Sequence, residues 1–252
     1  MDPPVIDGYC HCGLNKYRPL HDVKDVLDRF DVSRAVLVQH IGEYDNSYIE
    51  SAVREDPGRF AGVLMVDTNQ PGAKDTLAEE ASRGAFRGVR LFAHTLETAP
   101  GVWKRAAELE LNIVVFEEPT FSPYTHSLAN FARRFPETPL ILSHLGMPGD
   151  APDFPGHQHV LSLARWPNVY VQISGMHMFS RSPYTDLVPL VEQLRGAFGP
   201  ERLFYGSNFP VMGEETVYGK ELELLRTGEL GIPPEEVERV LGGTAMGLWF
   251  AD

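Results

Sequence analysis

The chain is short of cysteine, of positive charge and of long apolar runs, and each shortage closes off a class of protein. Only Cys10 and Cys12 occur among 252 residues, so no disulfide framework is available. Two apart on one strand, they point to the same side and are poorly placed to bridge to each other. With no third cysteine, Cys-x-Cys is a weak metal pattern, and both read as small apolar residues beside a site. Lysine and arginine number 22 against 35 acids, a net charge of −13. Nucleic acid and anionic membrane both demand a basic face, so neither is expected as a partner. A local basic pocket for an anionic small molecule remains compatible with that total. No run reaches the roughly 18 apolar residues of a membrane span. The opening Met-Asp-Pro-Pro lacks the basic and apolar regions of a secretory leader, so a reducing, cytoplasmic setting is expected. Gly-x-Ser-x-Gly is missing, so Gly206-Ser207-Asn208 is no nucleophile elbow.

What is present is a repeated alternation. The hydrophobic fraction of 43% and aromatic fraction of 10% suit a sizeable core. After the opening Val5-Ile6-Asp7-Gly8-Tyr9-Cys10-His11, short apolar runs recur at 35–39, 60–67, 88–92, 112–116, 140–143, 168–174 and 203–205. Helical spacing lies between them, over 21–30, 45–55, 73–83, 101–109, 122–135, 160–164 and 184–198, then over 217–225 and 234–241. Asp22 is placed to cap the first helix, and Pro189 should bend its helix or make it start later. The strands read as continuous apolar runs, as strands buried on both faces do. Eight of them alternating with helices predict an α/β fold, a single (β/α)8 TIM barrel over 1–252, with no linker or internal repeat.

In such a barrel the chemistry sits at the C-terminal strand ends. Those ends carry Asp7, Tyr9 and His11, then Gln39, Arg90, Glu117 with Glu118, His144 and Asn208. Residues i and i+2 share a face, so Asp7, Tyr9 and His11 are expected to point inward together. Of Glu117 and Glu118, adjacent and therefore on opposite faces, either is open as the inward one. His94 and His177 follow strand ends and are candidates for touching a ligand, as is His40. His126, His157 and His159 read as surface or loop residues, and Glu214-Glu215 as a solvated helix start.

These stretches resemble the amidohydrolase superfamily, in the branch that holds 2-pyrone-4,6-dicarboxylate lactonase and sugar lactonases. The resemblance runs through Ile6-Asp7-Gly8-Tyr9-Cys10-His11 at the place of an Asp-x-His-x-His start. It continues through Arg87-Gly88-Val89-Arg90, Ser143-His144-Leu145-Gly146-Met147-Pro148, and 199–210 with its Gly206-Ser207-Asn208-Phe209-Pro210. In typical members two histidines of the first strand, one after the fifth and one after the sixth help hold a divalent metal. An aspartate after the eighth activates water. Here only His11 and His144 match; Tyr9, Glu117 (or Glu118) and Asn208 stand at the other places. An amide is not basic, so Asn208 cannot take a proton from water.

The resemblance allows three sites. The first has no cofactor: Arg90 holds a substrate carboxylate, with Gln39, His94 and His177 as further substrate contacts. There His11, His144 or Glu117 handles protons, and Tyr9 or Asn208 donates to an oxyanion. The second keeps one divalent metal (Zn, Mn or Fe) on Asp7, His11, Glu117 and His144. The third is a binding pocket without chemistry. The expected function is a metal-independent hydrolase, or one with a rearranged mononuclear metal, acting on a small anionic lactone or amide. A lyase such as a decarboxylase, or a biosynthetic cyclase, is the alternative. A homo-oligomer is compatible with the acidic surface.

Overall fold

In the computed structural model, which describes residues 4–151, 153–211 and 215–251, eight parallel strands follow one another in sequential order. They are β1 (Ile6–Cys10), β2 (Arg34–Val38), β3 (Phe60–Leu64), β4 (Phe86–Phe92), β5 (Asn112–Phe116), β6 (Leu140–Leu142), β7 (Val169–Ile173) and β8 (Leu203–Tyr205). Between them run α1 (Leu20–Arg29), α2 (Ser47–Glu55), α3 (Ala73–Ser82), α4 (Thr95–Thr98), α5 (Pro100–Glu108), α6 (Thr125–Arg134), α7 (His157–Ser162), α8 (Met176–Phe179) and α9 (Val188–Phe198). After β8 come α10 (Glu215–Arg226), α11 (Pro234–Glu238) and α12 (Thr244–Trp249). The segment after β8 meets β1: the Asn208 N–H donates to Tyr9 O at 2.8 Å and the His11 N–H to Phe209 O at 2.7 Å. This is the (β/α)8 barrel that the alternation predicts.

The unbroken apolar runs have a simple cause. Ile6, Tyr9, Val36, Val38, Val63, Val114, Ile141 and Phe204 fill the barrel interior. Their neighbours Ala35, Leu37, Ile113 and Leu142 face the helices, where α1 brings Leu20, Val23, Val26 and Leu27. The floor of the barrel is closed by the last helix. Ala245 and Trp249 join the inner core, and Asn112 donates to Leu248 O at 2.7 Å. No helix among the described residues is long and apolar enough to cross a membrane.

Local expectations are corrected in three places. α1 begins at Leu20 behind Pro19, so Asp22 sits in the first turn and caps nothing. His157 is buried at the start of α7, whereas His126 and His159 are exposed as expected. Glu214 lies outside the described residues, and Glu215 is no free helix start: it takes hydrogen bonds from Arg18, at 3.0 Å, and Arg29. Pro189, by contrast, stands in the first turn of α9, where its missing N–H costs nothing.

Candidate active site

The site is shaped first by an irregularity in β1. Asp7 pairs with Ala35 and Cys10 with Leu37, three steps on one strand against two on its neighbour. The extra residue is a bulge, and it breaks the period-2 alternation. Tyr9 therefore faces the barrel interior, while Asp7 is turned to the helix side. There one Asp7 carboxylate oxygen accepts the backbone N–H groups of Ser207 at 2.8 Å and Tyr9 at 3.1 Å. The other accepts the Tyr218 hydroxyl of α10 at 3.1 Å. The expectation that Asp7, Tyr9 and His11 share one face fails at Asp7. Complete burial pushes its carboxyl up to about 6 even against these donors.

Two imidazoles stand at the mouth. His11 lies 2.6 Å from Val38 O through Nδ1, so Nδ1 carries the proton and Nε2 keeps a lone pair. Tyr17, from the loop after β1, stacks on its ring at 4.9 Å. His144 follows β6, in a run of left-handed backbone that includes His144, Leu145 and Met147. Three non-glycine residues in that region store strain of the kind found at functional loops. The Ser174 hydroxyl accepts the His144 backbone N–H at 3.1 Å and lies 3.0 Å from its Nδ1. Ser174 is thus placed to donate to Nδ1, leaving the proton on Nε2. The Tyr9 ring packs edge-on against both, at 5.1 and 4.8 Å.

Arg90, on β4, is the buried cation of this pocket. Its guanidinium lies over the Phe116 ring at 4.7 Å and the Tyr9 ring at 5.5 Å. It is 4% exposed, donates only to Gln39 O, at 3.3 Å, and leaves Nε without a partner among the described residues. Burial first, and Arg90 second, pull His11 down to about 3 and His144 well below the ordinary histidine range. Both imidazoles are therefore neutral at pH 7. Burial pushes the Tyr9 phenol up to about 12, and its hydroxyl has no partner among the described residues.

His11, Arg90, His144, His177 and Asn208 line one cavity of about 200 Å³, with Lys16, Tyr17, Ile41, Phe116, Glu118, Met178 and Val211. Glu118, not Glu117, is the acid of this wall. Glu117 turns to His94, accepting its backbone N–H at 2.8 Å and lying 2.9 Å from its Nδ1. Paired in this way, neither Glu117 nor His94 is among the residues that line the cavity, where both were expected. The Gln39 side chain is spent on its own loop, donating to Asp45 O at 2.8 Å and accepting the His40 N–H at 2.9 Å. Gln39 touches the site through its carbonyl on Arg90, and His40 through the edge of Tyr17 at 5.1 Å.

A family model described as an amidohydrolase matches residues 15–251. The chain belongs to the amidohydrolase family. The match starts beyond the strand that carries Asp7, Tyr9 and His11. An L-fucono-1,5-lactonase of Burkholderia ambifaria is 27% identical over 92% of this chain and 84% of its own length. A 4-sulfomuconolactone hydrolase of Hydrogenophaga intermedia is 28% identical over 77% of this chain and 66% of its own. Among solved structures, a candidate 2-pyrone-4,6-dicarboxylic acid hydrolase of Pseudomonas putida is 25% identical, with a TM-score of 0.80 over 98% of both chains.

Members of the amidohydrolase superfamily often carry a metal, and the side chains here can be tested against one. Among the described residues no group of three or more His, Cys, Asp or Glu could hold an ion. Asp7 is turned outward and already satisfied, and Glu117 is engaged by His94. His11 and His144 remain, and Arg90 presses positive charge on both. This donor set does not fit a divalent cation.

Five lining residues outside the strands escaped the sequence reading. Lys16, Tyr17, Ile41 and Val211 sit in loops after β1, β2 and β8, and Met178 sits on the short helix α8 after β7. Their signal was position alone: loops after barrel strands build the mouth.

Proposed function

We propose that this amidohydrolase-family protein opens a small anionic lactone by hydrolysis, without a resident metal. The observation that carries the reading is Arg90, a buried guanidinium with no carboxylate partner among the described residues, facing two neutral imidazoles in one small cavity. A buried unpaired cation is costly, and an anionic group on the substrate offsets that cost with paired hydrogen bonds. The lactone-hydrolysing relatives support the ring-opening part.

The chemistry follows from the two tautomers. The His11 Nε2 lone pair accepts a proton from water as the water oxygen attacks the ring carbonyl. Protonated His144 Nε2 and the Asn208 amide face the same cavity and donate to the oxyanion that forms. Because burial and Arg90 hold His11 neutral, its base form persists well below pH 7. Asn208 at the family's aspartate position favours one second reading, decarboxylation, in which no water needs activation.

The test is a panel of lactones bearing a carboxylate or sulfonate, with neutral sugar lactones beside them. Activity is measured before and after chelation, and metal content by elemental analysis. Anionic lactones should be opened fastest, with chelation changing nothing. Metal in stoichiometric amount that tracks activity overturns the metal-free part. Release of carbon dioxide from aromatic acids, without lactone opening, installs the second reading.

A further inference from the structure

One buried acid of the helical layer takes no part in the attack of water on the ring carbonyl. Glu221 on α10 is fully buried. Its Oε1 accepts the Tyr184 hydroxyl at 2.9 Å, and its Oε2 has no partner among the described residues. Beside it lies His177, on α8 after β7, with Nδ1 3.4 Å from Oε1. That is ion-pair distance but not hydrogen-bond geometry, so both ring nitrogens are also left without a hydrogen bond among the described residues. His177 lines the cavity with His11, Arg90 and His144, and its side chain is 19% exposed. The charged and titratable groups around the pair are Tyr184 and Tyr205 beside Glu221, His144 beside His177, Arg90, Lys16 and Glu118 across the cavity, and Arg181 and Asp186 in the adjoining surface pocket.

A buried carboxylate with a spare oxygen, next to an imidazole of a residue that lines the cavity, is the arrangement that holds an imidazolium in place. A small rotation of the ring completes the hydrogen bond, as catalytic contacts commonly tighten on substrate binding. We propose that His177 is the general acid of this site and that Glu221 is its positioning residue.

The inference rests on the ring-opening reading and assigns its last step. Attack forms the bond from the water oxygen to the carbonyl carbon, and His11 Nε2 takes the water proton. Collapse breaks the ring C–O bond, and the departing alkoxide takes the proton from His177 Nε2. The new carboxylic acid ionises to solvent. One proton leaves His11 and one returns to His177 through water, which restores the enzyme. Neither His11 nor His144 suits the acid's part, since both are held neutral.

The leaving group makes the test specific. An alkoxide departs poorly without a proton, whereas a phenolate or enolate departs well. His177→Gln should lower kcat on aliphatic lactones by about 10²-fold or more and leave lactones with phenol or enol leaving groups nearly unchanged. Glu221→Gln should reproduce the pattern at about tenfold, through kcat with KM constant. Equal loss on both substrate classes, or none, overturns the proposal. A readout independent of turnover separates it from the hydrolase reading. In the wild-type protein the His177 Nδ1 proton should give a slowly exchanging downfield NMR resonance that Glu221→Gln removes. If that resonance is present and no lactone is opened, the hydrolase reading fails and the pair stands. If the resonance is absent, the pair itself is refuted.

Discussion

Two charged side chains are buried in the barrel wall, and the molecule treats them in opposite ways. Asp7 lies on the helix side of β1, and its carboxylate takes three hydrogen bonds from Ser207, Tyr9 and Tyr218. Arg90 lies on the pocket side of β4 with one long hydrogen bond and an unpartnered Nε. A buried charge whose hydrogen bonds are supplied by the fold is a structural device, here joining β1, the turn after β8, and α10. A buried charge left short of partners is stabilised only when a ligand supplies them. The same burial that marks Asp7 as scaffold therefore marks Arg90 as recognition.

The sharpest way to break this contrast is to remove the cation. Arg90→Met should lower kcat/KM for anionic lactones by about 10²–10³-fold, the loss of a charged, paired hydrogen-bond set worth about 3–4 kcal/mol. Stability should hold or rise slightly, because an unpaired buried charge is gone. Kinetics and urea unfolding on the same preparation check both halves. A variant that unfolds more easily, with catalysis intact, makes Arg90 structural.

Removing the anion should do the reverse. Asp7→Ala leaves the Ser207 and Tyr9 N–H groups and the Tyr218 hydroxyl without an acceptor, at a net cost of about 2–3 kcal/mol of stability. The folded fraction should keep most of its activity. Asp7→Asn retains an acceptor and should cost about 1 kcal/mol near pH 4, where the carboxyl holds its proton. Stability loss with intact catalysis supports the contrast; catalytic loss in a stable variant dissolves it.

The two charges also differ in how they bear on pH. The Asp7 carboxyl titrates at 3.8 in the unfolded chain and at about 6 when folded, so between those values the native protein holds the extra proton. The Asp7 contribution to stability is fully present below about pH 4 and lost as pH rises through about 6, a change of about 3 kcal/mol. Asp7→Asn carries no such group. The stability difference between wild type and variant, followed from pH 4 to 7.5 by urea unfolding, should therefore shift in favour of the variant as pH rises. A flat difference means that the carboxylate is not desolvated as its position implies.

How much of this the sequence disclosed follows from the same physics. Apolar runs buried on both faces announced eight strands and hence the barrel, and the polar residues ending them announced the mouth. His11, Arg90, His144 and Asn208 were legible because each lies near or just past the C-terminal end of its strand. Asp7 was not, since a one-residue bulge reverses a strand's facing without altering its composition. The Glu117–Glu118 choice turned on a partner 23 residues away, His94, whose approach no local pattern encodes. Glu221 was missed for a different reason: it sits in an amphipathic helix, where one buried acid looks like any other turn of polar spacing.

The smallest expected effect tests the loop that carries His144. Gly175 has φ +63°, and a β-carbon there would lie 2.8 Å from His144 Nδ1 and 2.9 Å from the Met178 sulfur. Gly175→Ala should cost about 1–2 kcal/mol for the left-handed backbone, and the methyl should swing the imidazole off Ser174. If the tautomer set by Ser174 matters, activity should fall by about tenfold while affinity for an anionic inhibitor, governed by Arg90, is unchanged. Equal losses in both would place the ring among the groups that merely shape the pocket, beside Phe116 and Tyr17.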